Sequence, residues 1–167
     1  MLQFKKFGDH HPGQLFSLLY RSYADYLKAD PGRQAAWPAD WKQYDQDVFA
    51  YPDTVGKCGF VTWLDNQIIG FASWDPRQFP ALGIIGHNCI VPEFRGNTFG
   101  KQQIAEILHR FQIAGFQVAQ VTTNAHPFFV PAQRMYQACG FREVNRRIIP
   151  ADPPYPVIDY ELALGNS

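Results

Sequence analysis

The residues best placed to do chemistry lie between Ile90 and Ile104, IVPEFRGNTFGKQQI, where an Ile-rich strand runs into a Gly-containing turn and then into a helical pattern. The chemistry this arrangement offers is the binding of an anion the size of a pyrophosphate. The strand side is Gly83 to Val91, and the helix side is Lys101 to Gly115, with Ile104, Ile107, Leu108 and Phe111 spaced to cover one face. Between them stands Arg95-Gly96-Asn97-Thr98-Phe99-Gly100. The first N–H groups of a helix have no intrahelical acceptor, and with the helix dipole they attract negative charge. Gly96 and Gly100 carry no Cβ to hold a phosphate away from the main chain, and Arg95 offers a charge-assisted contact. The nucleotide loop GxxxxGK[ST] is absent, because Gly100-Lys101 is followed by Gln102 and Gly96 is wrongly spaced; GxGxxG is absent too. Taken alone, such glycines need only solve a tight turn.

Ile90-Val91-Pro92-Glu93-Phe94-Arg95-Gly96-Asn97-Thr98-Phe99-Gly100 resembles motif A of the GNAT N-acetyltransferase superfamily, VxPxxRGxGxG. A second, independent segment, Ala132-Gln133-Arg134-Met135-Tyr136-Gln137-Ala138-Cys139-Gly140-Phe141, resembles motif B of the same superfamily, AxxxYxxxGF. That segment also makes sense without a family: Pro131 suits a first helical position, Gly140 a C-terminal stop, and Phe141 opens a strand. The order and separation of the two motifs fit as well. The resemblance implies acetyl-CoA as co-substrate, held by Cys89, Ile90 and Val91 at the strand end and by Arg95, Gly96, Asn97, Thr98, Phe99, Gly100 and Lys101 around the turn. Thr98 departs from the pattern, standing where the family's Q/R-x-x-G-x-G/A core usually has its first Gly. Its hydroxyl is expected to add a hydrogen bond to the diphosphate.

The activity implied is acetyl transfer to a primary amine of a small molecule or protein by direct attack on the thioester, through a tetrahedral oxyanion. Three tasks follow. In the family a backbone N–H near the end of the strand polarises the carbonyl, which here means Cys89 to Val91; a preorganised donor of this kind contributes about a hundredfold to a thousandfold in rate. The Cys89 side chain itself reads as an apolar filler. Tyr136 matches the family's motif B tyrosine, whose phenol lies near the sulfur and suits proton donation to the leaving thiolate. The base is open. His87 has the right chemistry, with Glu93, a water chain or no dedicated base as rivals; strand alternation puts His87 with Cys89, opposite Asn88 and Ile90. Asn124 matches a position that often touches the pantetheine arm. The family commonly has two residues between this Asn and the motif B Ala, whereas this chain has seven, Ala125 to Pro131. A non-catalytic acyl-CoA-binding or regulatory module is the alternative function, and succinyl-CoA a weaker alternative donor.

The elements that must position these residues follow from periodicity and turn chemistry. Leu2 to Phe7 reads as a strand and Pro12 to Leu27 as a helix. Lys28 to Trp41 breaks the pattern, and Trp41 to Ala50 resumes a helix. Gly59 to Leu64 and Gln67 to Trp74 flank an Asp65-Asn66 turn as a hairpin. After the central strand and its helix come a strand at Gln117 to Thr123, the motif B helix, and a closing pair, Phe141 to Ile149 and Val157 to Leu164, joined by the Pro-rich loop Pro150 to Pro156. This order predicts an α/β (α+β) fold: a mixed, mostly antiparallel sheet of six to seven strands flanked by helices, as in the superfamily. Trp37, Trp41, Trp63 and Trp74, with Tyr20, Tyr23 and Tyr26, are candidates for core or for a substrate groove.

The 167 residues suit one domain spanning 1–167. Lys and Arg number 15 and so do Asp and Glu, so no basic stripe invites nucleic acid. Cys58, Cys89 and Cys139 form no CxxC pair and no zinc-finger spacing, which reads as reduced packing residues in a cytoplasmic protein, with no metal. The opening MLQFKKFGDHHPG has no apolar signal core, and no apolar run reaches a membrane span. Monomer and homodimer are both compatible with the sequence.

Overall fold

The computed structural model describes residues 1–33, 36–150 and 155–165. Its strands are β1 (Leu2–Lys5), β2 (Gly59–Leu64), β3 (Gln67–Gln78), β4 (Leu82–Ile90), β5 (Val118–Asn124), β6 (Arg142–Arg147) and β7 (Val157–Ala163). Its helices are α1 (Gln14–Ala29), α2 (Ala36–Ala50), α3 (Phe99–Ala114) and α4 (Val130–Ala138). The seven strands form one sheet in the order β1-β2-β3-β4-β5-β7-β6. The β4–β5 ladder is parallel, whereas β1–β2, β2–β3, β5–β7 and β6–β7 are antiparallel. This is the mixed, mostly antiparallel sheet expected. By packing, the chain forms two compact units, residues 1–73 with 87–100 and residues 74–86 with 101–167. Among the described residues, no helix is long and apolar enough to cross a membrane.

In the first unit, Leu15, Leu18 and Leu19 of α1 and Trp41 and Val48 of α2 cover Val61, Phe71, Cys89 and Val91. Each large apolar side chain buried so completely contributes roughly 1.5–3 kcal/mol. Helix α1 opens after Gly13 at φ +93°, with no cap from its own segment. The cap comes instead from α2: the buried Asp45 carboxylate accepts the Gly13 N–H (2.7 Å) and the Phe16 N–H (3.0 Å). Helix α2 begins at Ala36, ahead of the expected Trp41. Pro38 is no obstacle there, because a first-turn residue has no intrahelical N–H bond to lose. Asp65 at φ +52° supports the two-residue turn that pairs Leu64 with Gln67. Residues 34 and 35 of the breaker stretch and 151 to 154 of the Pro-rich loop lie outside the described residues.

In the second unit, Phe111 of α3 seats on Gly83 so closely that a Cβ there would lie 2.6 Å from the ring. Trp74 and Phe116 complete that aromatic contact. The β4–β5 ladder runs from Leu82–Val118 to Ile85–Val121, while β4 itself continues to Ile90. Strand β7 lies between β5 and β6 and contributes the buried Ile158 and Tyr160. Edge strand β6 is exposed throughout and carries Arg142, Glu143, Arg146 and Arg147, the kind of charged edge that resists pairing with other chains. Gly140, at φ +96°, ends the α4 segment as expected.

Candidate functional site

The segment expected to bind an anion is the passage from β4 into α3. After Ile90 the chain makes a short 3₁₀ turn, Pro92–Phe94, and the α3 helix opens at Phe99. Gly96 takes φ +76°, with open space where a Cβ would stand, so this turn needs Gly for its conformation and leaves its main chain approachable. The Asn97 side chain donates to the carbonyls of Phe94 (3.3 Å) and Arg95 (3.4 Å), bracing the turn from within. Thr98 directly precedes the helix, where Thr is a favoured capping type and where the helix amides begin. Residues 95 to 98 are exposed. A diphosphate fits this cradle of glycine, threonine and helix amides.

Arg95 does more than offer charge. Its Nε donates to the Ile90 carbonyl (3.1 Å), and its Nη2 donates to the Ser22 carbonyl. Two neighbours of Ser22 on α1 hold the same passage: Arg21 pairs with Glu93 (3.1 Å), and the Tyr23 hydroxyl donates to the Asn88 carbonyl (3.2 Å). Three consecutive α1 residues thus brace the strand end and the turn after it.

Strand geometry sorts the amides. The Val91 N–H donates to the Ile69 carbonyl of β3 (2.8 Å). Because successive peptide groups alternate along an extended chain, the Ile90 N–H points away from β3, and that of Asn88 points the same way. Of the three residues expected to supply a carbonyl-polarising amide, Val91 is therefore committed to the sheet, and the geometry favours Ile90.

Cys89 lies in the core beneath α1 and α2, and burial pushes its thiol up to about 11; it is packing, as the sequence indicated. His87 meets Tyr44 of α2, ring centroids 4.8 Å apart, and the Ser73 hydroxyl donates to the His87 carbonyl (2.9 Å). Burial lowers the His87 pKa, against the opposing pull of Asp40, so the imidazole is neutral at pH 7 and able to accept a proton. Burial also raises the Tyr44 phenol well above its usual value, with Ser73 opposing. Glu93 is held below the usual carboxylate range by a backbone N–H and by Arg21, which makes it the weaker base.

The remaining expected residues belong to the second unit. Lys101 is exposed in the first turn of α3. Asn124 is buried at the end of β5: its side-chain carbonyl accepts the His126 N–H (2.7 Å), and its backbone carbonyl accepts from Gln133 of α4 (3.0 Å). The long β5–α4 connection is a packed turn, Pro127–Phe129, in which His126 Nδ1 accepts the Phe128 N–H (3.0 Å). Tyr136 on α4 is 4 % exposed, its ring 6.0 Å from both Phe141 and Tyr160.

The aromatic residues of the first half divide. Trp41 and Tyr26 are core, Tyr23 and Trp37 are half-buried beside them, and Tyr20 is exposed. Trp63 packs with His10 and Lys5, and Trp74 with Phe111. Sequence reasoning passed over the Tyr23–Asn88 bond and the α1 brace; the only signal was the place of Tyr23 on the helical stripe.

The fold and the strand–turn–helix cradle define a class of protein. The chain belongs to the acetyltransferase (GNAT) family, whose model matches residues 19–141. It is similar in fold to a GNAT-family protein from Desulfovibrio desulfuricans, at 14 % identity and TM-score 0.76, covering 99 % of this chain and 100 % of that one. The ribosomal-protein-S18-alanine N-acetyltransferase from Escherichia coli shares 14 % identity at TM-score 0.66, covering 98 % and 94 %. The yncA protein from Salmonella typhimurium, solved with its cofactor acetyl-CoA, shares 13 % identity at TM-score 0.66, covering 99 % and 94 %. No curated protein matches the chain.

Proposed function

We propose that the protein is an acetyl-CoA-dependent N-acetyltransferase acting on a primary amine of a small molecule or a protein. The observation that carries this reading is the glycine turn at positive φ opening α3, directly after β4, in a chain of the GNAT family. Bound acetyl-CoA supplies an activated acetyl thioester. The amides of Gly96 to Lys101 and the Thr98 hydroxyl hold its diphosphate, and Asn124 offers its side-chain nitrogen to the pantetheine arm. The Ile90 N–H donates to the thioester oxygen as negative charge develops there. His87, neutral at pH 7, takes the proton from the amine directly or through water, and Tyr136 returns one to the sulfur. The roles of Tyr136 and Asn124 rest on the motif resemblance, and that of His87 on its chemistry and neutral state.

Titration calorimetry with CoA and acetyl-CoA, followed by a thiol-release assay over an amine panel, tests the reading. Association and amine-dependent release are expected. Association without release for any amine would assign the protein to the non-catalytic modules of the fold, and absence of association would remove the cradle from the argument.

A further inference from the structure

We infer that the acceptor is a primary amine carried on a flat aromatic stem, that the stem lies against Trp37, and that Tyr23 is a positioning residue for the Asn88 peptide of the acyl-binding strand. The inference rests on the N-acetyltransferase reading. Its starting point is the Tyr23 hydroxyl, which donates to the Asn88 carbonyl (3.2 Å). Asn88 and Ile90 direct their peptide groups to the same side of β4, away from β3, so Tyr23 marks the strand edge at which the Ile90 N–H meets the thioester. Its ring is tilted 30° on Trp41 at 5.5 Å and nearly perpendicular (85°) to Trp37 at 6.2 Å.

This cluster has an inner and an outer layer. Trp41 and Tyr26 are buried, whereas Tyr23 and Trp37 are half-buried. Arg33 backs the cluster: it is 5 % exposed, its guanidinium 5.3 Å from the Trp37 centroid and 5.4 Å from the Tyr26 centroid, and its Nε donates to Asp30 (2.7 Å). The chain's own cation thus already takes the π-attraction these rings offer. A second cation on the stem gains less there, because the faces of these rings are already shared with Arg33. A neutral ring keeps the edge-to-face and dispersion gain of an aromatic partner. The ammonium belongs at the strand edge and the uncharged stem at Trp37.

Thiol release with acetyl-CoA is measured for 2-phenylethylamine, 1,4-diaminobutane and ethanolamine, alongside calorimetric binding of 2-phenylethylamine to the CoA-loaded protein. Expected are a kcat/KM at least tenfold higher for 2-phenylethylamine and measurable binding of that amine. Trp37→Ala should raise its KM about tenfold and abolish the preference, while Trp37→Phe keeps most of it. Tyr23→Phe should lower kcat several-fold while leaving CoA affinity and the KM for the aryl amine unchanged. A preference for the diamine, equal rates for all three amines, or a preference that survives Trp37→Ala overturns the inference, as does failure of 2-phenylethylamine to bind. If CoA itself does not associate, the acetyltransferase reading falls with it; if CoA binds normally and only the aryl preference fails, this inference falls alone.

Discussion

Burial that pushes the Cys89 thiol up to about 11 leaves almost no thiolate at pH 8. Iodoacetamide on the folded protein should spare Cys89, and peptide mapping should find label first at the half-buried Cys139. His87 gives a pH signature of the opposite kind. Its pKa is lowered in the fold, so just below the usual histidine value of about 6.5 the unfolded chain binds more protons than the native one, and stability rises with pH. Thermal unfolding between pH 5.5 and 7.5 should therefore show a smaller pH dependence in His87→Gln than in the wild type; an unchanged dependence would place the histidine in an ordinary solvated setting. Tyr136→Phe should lower kcat by about a hundredfold to ten-thousandfold, the range of a lost general acid, with CoA affinity retained in calorimetry. Thr98→Val keeps the shape of the side chain but removes its hydroxyl, and should weaken CoA binding; equal affinities would leave the hydroxyl with no part in holding the diphosphate.

Among the elements, the start of α1 depends most on a distant residue. Asp45→Ala removes the acceptor of two backbone N–H groups in a site 3 % exposed, and should cost about 2 kcal/mol in urea unfolding. Gly70→Ala should be at least as damaging, because its Cβ would lie 2.0 Å from the Cys89 carbonyl oxygen, a main-chain atom with no room to yield. These two sites show where sequence reading stops. The β2–β3 hairpin, the strand before the turn and the Gly140 stop were legible because each is written in adjacent residues with strong local preferences. So was the position of the strand–turn–helix loop, since its glycines stand beside an apolar strand. The early start of α2 was not legible, because Pro38 reads as a breaker until its place in the first turn is known. Nor was the Asp45 cap, made across 32 residues, or the bond from Tyr23 to Asn88, made across 65. Such partners are chosen by packing, which periodicity alone does not disclose.

At the scale of the whole molecule, the acyl-CoA cradle predicts ligand-linked stability. CoA at a hundredfold excess over its Kd adds about 2.7 kcal/mol to the folded state, a rise in Tm of roughly 5–10 °C for a chain of this size. Differential scanning calorimetry at several CoA concentrations measures it, and an invariant Tm would mean the native state holds no CoA. The net charge of zero adds that the ionic strength of the buffer should shift this Tm little through overall self-repulsion. The Asp45 carboxylate that closes α1 has one more implication, for the order of events as the chain is made. A ribosome that has released the sixteen residues of α1 has not yet delivered the group that fastens its first turn. The nascent segment must wait, frayed at its leading end, until α2 follows it out, so a truncated translation product ending between the two helices would show little helix by circular dichroism.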